Sequence, residues 1–506
     1  MKRWHDLLAA QAATRPEAAA FSDSLGLSWS YGDLAAAVAE LGDLFKGAGV
    51  VPGDRVMVLS ENCCATVAGL MATSQCGAVA VPVNARMSAG EVDRIIDHAR
   101  PALVLITTQI EGAAQSHADR LQAVPISGGF GALHMADLTG RRSADAQGAD
   151  DGVAPEEVAV LLYTTGTTGA PKGVMLTHGN LLFGGRSSVE LRDMVPGDVI
   201  YGVLPMTHVF GLASVMTAAL YSGAEVWLEA RFSAAKLYAA LRRGVTRLAA
   251  VPQMHALVMQ FAKEQGLERL DSPVLQYVSS GAAPLDPDWK RRAESFYGVA
   301  LQNGYGMTEA TAGVCATKNS VLGDPDISVG PPLPGVELRI DEEVPGGGDG
   351  IGEVQMRGAN VMLGYYRNAE ETARVLDADG WLSSGDLGRL DEKGFLHIEG
   401  RCKELIIHGG FNVFPPEVEA ALNAHPQVVQ SAVVGRPTKS DEEVLAFVQI
   451  SPDDRPEVTD LMQFVRAQLA GYKCPSQIVL SESLPAAPTG KILKHKLLAE
   501  FAAALK

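Results

Sequence analysis

VMVLS (56–60), VAVPV (79–83) and LVLI (103–106), separated by segments of helical period, decide the fold class. A strand with one wet face alternates apolar and polar residues. These runs are apolar without a break, so both of their faces are buried, as in a mostly parallel sheet covered by helices. The same alternation continues through VAVLLY (158–163), IYGVL (200–204), EVWL (225–228), LAAV (248–251) and LQYVSS (275–280). Residues 88–98 read as a helix opened by Ser88 and Glu91 as a capping box. The expected class is α/β, a large N-terminal domain of βα layers.

After about Asn303 the pattern changes. IGEVQMRG (351–358) and the loop PGGGDG (345–350) indicate a small β-rich section with hairpin connections. The last hundred residues change again. FPPEVEAALNAH (414–425) predicts a helix with Pro in its first turn, QSAVVGR and LAFVQIS predict strands, and residues 457–470 place Val458, Leu461, Met462, Val465 and Leu469 on one helical face. This is a small α+β unit. Charged residues crowd the junction at Arg401, Lys403 and Glu404, so the division falls between an N-terminal domain, 1–402, and a C-terminal domain, 403–506. The polar stretch 141–152 reads as an exposed loop.

Composition narrows the function classes. With 506 residues, 47 % of them hydrophobic and 20 % charged, the chain is neither disordered nor fibrous. Its net charge of −17 opposes binding to nucleic acid or to anionic membrane. Any anionic ligand must therefore be held locally. Cys63, Cys64, Cys76, Cys315, Cys402 and Cys474 form no CxxC pair and have no His at metal-ligand spacing, which suggests reduced thiols and a cytoplasmic setting. The start, MKRWHDLLAAQAATRPE, carries charge and Trp where a signal peptide needs an apolar stretch, and no run of about 18 apolar residues follows.

The sharpest local signal is YTTGTTGAPKG (163–173), which follows the strand VAVLL and precedes the helical GNLLFGG. Glycines let a backbone approach phosphate, Thr164, Thr165, Thr167 and Thr168 offer hydroxyls, and Lys172 offers a cation. Gly173 stands where a Walker A loop needs Ser or Thr. Taken alone, the string is a phosphate cradle or a solvated turn.

In company it is more specific. SSGAAPL (279–285), NGYGMTEA (303–310), YYRN (365–368), WLSSGDLG (381–388), GRCKELIIHGG (400–410) and PTGK (488–491) follow it in order, and over essentially its whole length the chain resembles the adenylate-forming superfamily. That superfamily comprises acyl-CoA synthetases, luciferases and adenylation domains. The pattern is most similar to the AMP-forming acyl-CoA synthetases.

The resemblance implies an acid:CoA ligase that uses ATP, Mg²⁺ and coenzyme A and makes an acyl adenylate before the thioester. It places Thr164, Thr165, Gly166, Thr167, Thr168, Gly169 and Lys172 on the phosphates. Gly281, Ala282, Ala283, Asn303, Tyr305 and Gly306 fall around the nucleotide, Asp386 on the ribose, and Arg401 beside it. Thr308 and Glu309 fall on phosphate and metal, and Lys491 becomes the lysine that bridges carboxylate and α-phosphate. It also implies that the small domain is mobile about Lys403, and that rotation withdraws Lys491 and presents Gly409 and Gly410 to CoA.

PMTHVFG (205–211) matches the family's acyl-pocket segment, so His208, Phe210, Leu212, Ser214, Met254, Ser279, Gly281, Ala282 and Met307 read as pocket wall. The lining is apolar with small hydroxyls and lacks an arginine, which suits an apolar-tailed monocarboxylic acid, aliphatic or aryl. Taken singly, Glu309 reads as a carboxylate at a helix N-terminus, Tyr305 and His208 as core residues, and Gly409–Gly410 as a hairpin turn. Two other functions stay open: delivery of the acyl group to a carrier-protein thiol, and non-catalytic nucleotide binding. The context PAAPTGK (485–491) resembles one in which an acetyltransferase modifies the lysine, here Lys491. The oligomeric state is not legible.

Overall fold

The apolar runs pair into two eight-stranded sheets and a four-stranded one, in a computed structural model that describes residues 1–110, 112–141, 157–165, 171–281, 285–409, 411–438, 442–452, 454–486 and 492–505. Arg55–Ser60 lies between Val79–Asn84 and Leu103–Ile106, parallel to both, and Val79–Asn84 runs parallel to Val158–Thr165. In the second sheet Leu301–Tyr305, Tyr277–Gly281, Arg247–Ala250, Val199–Gly202, Glu225–Leu228 and Ala19–Asp23 are parallel in that order. Cys64–Gln75 lies between the two sheets, and every residue of this helix but its last is buried. That explains a helix with little amphipathic pattern, since it is apolar all round.

The helix read over 88–98 is Ala89–Ala99, with the Ser88/Glu91 capping box in place. Several strands escape the sequence reading, among them Ala19–Asp23 and Gly131–Asp137, and one of them bears on the site. Pro171–Thr177 pairs antiparallel with Val158–Thr165, with Thr164 opposite Lys172, so a strand comes before the helix in the sequence that follows residue 170. GVMLT is short and apolar, a length at which periodicity cannot tell strand from helix. The helix begins at His178, where Thr177 and Asn180 form another capping box.

The β-rich section is an antiparallel sheet of Val336–Asp341, Gly352–Gly358, Leu382–Leu390 and Leu396–Arg401. Beyond it, Val428–Pro437, Glu442–Ile450 and Gln477–Ser481 form a three-stranded sheet with its own apolar clusters, flanked by Pro415–Asn423, which has Pro in its first turn. The helix expected over 457–470 ends sooner, as Val458–Arg466. Leu461 and Val465 reach the core, Met462 and Leu469 only pack against it, and Val458 in the first turn is 37 % exposed. Part of that apolar stripe thus overruns the surface it covers. Of the stretch 141–152, residues 142–152 lie outside the described residues. All six cysteines are free thiols, four of them buried.

Two imidazoles inside this fold are held neutral. His178 Nδ1 accepts from the Trp4 amide at 3.1 Å, while His255 lies between the Tyr297 hydroxyl, 2.9 Å from Nδ1, and the Ser279 carbonyl, 3.2 Å from Nε2. Burial pushes both down from 6.5 to about 4. Between those values the unfolded chain binds protons that the folded one refuses, so stability is full above about pH 6.5 and falls as pH drops toward 4. For His255 the loss is on the order of 3 kcal/mol. The melting temperature followed from neutral to acid pH should fall in that window, and His255→Gln should flatten the slope. An unchanged slope in the variant would assign the loss to other groups.

Candidate active site

The parallel strands Tyr277–Gly281 and Leu301–Tyr305 end side by side, with Gly281 paired to Gly304. The carboxyl ends of such strands are where open α/β sheets bind ligands. From Tyr305 the chain enters a tight turn that carries Met307, Thr308 and Glu309. A Cβ added to Gly306 would fall 1.3 Å from the Ala312 carbonyl oxygen, so this position admits no side chain. The turn is closed by the Ala310 and Ala312 amides bonding the Met307 carbonyl, and Thr311 and Ala312 take positive φ.

Asp386 joins this edge to the antiparallel sheet. The Tyr305 hydroxyl donates to its Oδ2 at 2.6 Å, and Arg401 Nε lies 3.1 Å from Oδ1. Asp386 and Arg401 are cross-strand partners, which fixes their approach. Burial and then the Asp386 charge push the Tyr305 phenol well up, so it keeps the proton it donates. Glu353 supports the strand from below, accepting the Gly385 amide at 2.7 Å.

Lys172 lies in a second cluster. Its Nζ is 2.5 Å from Glu371 Oε2 and 5.0 Å from the centroid of the Tyr365 ring, and the Tyr365 hydroxyl donates to Glu309 Oε1 at 2.9 Å. The Lys172 ammonium holds the Glu371 carboxyl below its usual value, while burial and then the Glu309 carboxylate push the Tyr365 phenol up. Oxygen donors and a single carboxylate fit Mg²⁺, which keeps waters and bridges phosphates and so needs no protein cage. No group of three or more potential ligands occurs among the described residues.

Of the other expected residues, Phe210 reaches the same strand ends. A Cβ on Gly281 would sit 3.3 Å from the Phe210 ring, so the loop 205–211 and the strand 277–281 touch. His208 is exposed and its Nδ1 accepts the Phe210 amide at 3.3 Å, capping the turn Val209–Gly211. Ser214 is buried in the π-helical turn Leu212–Thr217, where its carbonyl accepts from Arg192. Met254 and Ser279 are buried and Met307 half-buried. Asn303 is occupied elsewhere, its amide group donating to the Ser328 carbonyl at 3.0 Å. Thr308 is buried within the turn.

Lys403 lies in the turn after Arg401, whose carbonyl receives the Glu404 and Leu405 amides. Gly409, with φ of 61°, follows the first strand of the hairpin Ile406–His408 and Phe411–Val413. Gly166, Thr167, Thr168, Gly169, Ala282, Ala283, Gly410 and Lys491 lie outside the described residues. Sequence reasoning missed Tyr365, Glu371 and His255 as members of the neighbourhood. Tyr365 falls within the YYRN string, so a signal was present there without a role.

Residues 8–366 match the AMP-binding enzyme family, and residues 417–491 match the AMP-binding enzyme C-terminal domain. The chain is 35 % identical over 483 residues to a feruloyl-CoA synthase of Amycolatopsis sp, covering 94 % of each chain. It is 32 % identical to 4-coumarate–CoA ligase 1 of Arabidopsis thaliana, covering 94 % of this chain and 88 % of that one. Among solved structures, ATP-bound MatB from Rhodopseudomonas palustris superposes with a TM-score of 0.80 at 30 % identity, over 99 % of this chain and all of that one. The chain belongs to the AMP-binding enzyme family. Within it, the protein is an adenylate-forming acid:CoA ligase whose substrates include ATP and CoA. No described helix is long and apolar enough to cross a membrane.

The crowding at Gly306 gives a direct test of the turn. Gly306→Ala should move Thr308 and Glu309 and weaken AMP binding by at least about tenfold, with a fall in melting temperature. Binding equal to that of the parent would show that the turn relaxes without consequence.

Proposed function

We propose that this ligase activates an apolar-tailed monocarboxylic acid, aliphatic or aryl, by the sequence ATP plus acid to acyl adenylate and pyrophosphate, then CoA to acyl-CoA and AMP. The observation that carries the nucleotide assignment is Asp386, a buried carboxylate fixed by Tyr305 and Arg401 at the strand ends. A carboxylate so held can accept from both hydroxyls of a ribose, with the Tyr305 ring as a stacking surface for adenine. Thr164, Thr165 and Lys172 on the phosphate hairpin, with Thr308, would bind the phosphate oxygens.

Attack by a carboxylate on a polyphosphate is opposed by charge, so cations must stand where charge builds. Glu309 would hold Mg²⁺, which supplies charge screening on the phosphates when bound. Lys491 would bridge the acyl carboxylate and the α-phosphate. Residues 403–506 would move as a unit about Lys403, taking Lys491 away and bringing Gly409 and Gly410 toward the acyl adenylate. Phe210, Ser214, Met254, Ser279 and Met307 would line the acyl chain, with His208 as a gate. The contact of Phe210 with Gly281, and relatives named for ferulate and 4-coumarate, favour beginning with aryl acids. A cytoplasmic location and control by acetylation of Lys491 complete the reading.

Pyrophosphate release over a panel from short aliphatic to long-chain, benzoate and cinnamate acids, each with and without CoA, tests it. The expected result is CoA-dependent turnover that peaks on one apolar class. Pyrophosphate exchange indifferent to CoA would point to a carrier-protein thiol instead. Lys491→Ala should abolish adenylation yet still convert supplied acyl adenylate and CoA to thioester, and equal loss of both halves would refute the rotation. Asp386→Asn should raise the half-saturating ATP concentration by about tenfold or more, since charge-assisted bonds to the sugar are lost.

A further inference from the structure

We propose that Tyr365 is a positioning residue that sets the two charged groups of the phosphate site at once, its hydroxyl aiming the Glu309 carboxylate and its ring carrying the Lys172 ammonium. The proposal rests on the reading of Glu309 and Lys172 given above. Tyr365 is 5 % exposed, and its backbone is tied on both sides. Gly364–Tyr365 pairs antiparallel with Pro171–Thr177, the strand that carries Lys172, and the Tyr366 amide reaches the Gly173 carbonyl at 2.8 Å. On the other side the Tyr365 amide donates to Thr372 Oγ1 at 2.9 Å. Thr372 comes this close because position 364 is glycine: with φ of 147° there, an added Cβ would lie 2.8 Å from Thr372 Cγ2. The same approach brings Glu371, one residue earlier, to Lys172.

A phenol so anchored has few ways to move. Its hydroxyl donates to Glu309 Oε1 and so fixes one oxygen of that carboxylate. The Met362 amide, donating to the Glu309 carbonyl at 2.8 Å, holds the backbone at the same place. Lys172, a long side chain with many rotamers, is confined between the ring face and Glu371. One side chain thereby couples the metal-binding carboxylate to the phosphate-binding lysine, although the two are distant in sequence.

The two halves separate by substitution. Tyr365→Phe keeps the ring and deletes the donor, so half-saturating Mg²⁺ in pyrophosphate release should rise by about tenfold. ATP binding measured by equilibrium dialysis without Mg²⁺ should stay at the parental value. Tyr365→Leu removes both contacts and should weaken Mg²⁺-free ATP binding as well; Tyr365→Met, of similar reach, serves if the leucine variant does not fold. Melting temperatures report folding in each case, and Glu309→Gln is the reference. A Mg²⁺ shift in Glu309→Gln with none in Tyr365→Phe would overturn the proposal and leave the reading of Glu309 intact. No shift in either would overturn both. Mg²⁺-free ATP binding that is unchanged in the leucine or methionine variant would overturn the role of the ring.

Discussion

The buried carboxylate of Asp386 cannot stand alone in the interior, and its partners come from different parts of the chain. Tyr305 ends a strand of the second parallel sheet, whereas Arg401 ends the antiparallel sheet just before the turn that leads to the C-terminal region. An unpaired charge there would be costly, so the seam between these sheets is also the place where their relative position is specified.

The surroundings of that seam follow from close packing. Gly306 and Gly281 leave room for the Ala312 carbonyl and the Phe210 ring, so the turn with Glu309 and the loop with His208 lie against the strand ends. His255, neutral and buried, holds the Ser279 carbonyl from behind. The negative overall charge makes local cations decisive. Lys172 and Arg401 are each paired to a carboxylate, Glu371 and Asp386.

The region after the turn is braced in the same manner. Lys494 lies between Glu404 and Glu419 at 2.9 and 2.8 Å, and the two carboxylates raise its affinity for a proton against the cost of burial. This links the first residues after the Lys403 turn to the C-terminal helix Lys494–Glu500.

Local pattern alone determined part of the strands and helices: continuous apolar runs such as VMVLS, the Ser88/Glu91 cap and the Pro at the start of 415–423 are short-range signals, each stabilised within a few residues. The ordered motifs determined the family in the same way, because each is a contiguous string. Only the tertiary structure decided that Pro171–Thr177 is a strand and that Val458 stays wet, since both depend on which surface lies opposite. It alone paired Tyr305 with Asp386, Tyr365 with Glu309 and Lys172 with Glu371, over separations of 81, 56 and 199 residues. Such contacts arise where strands of different sheets meet, and the energy that selects them is spread over both sheets, so no local periodicity records it.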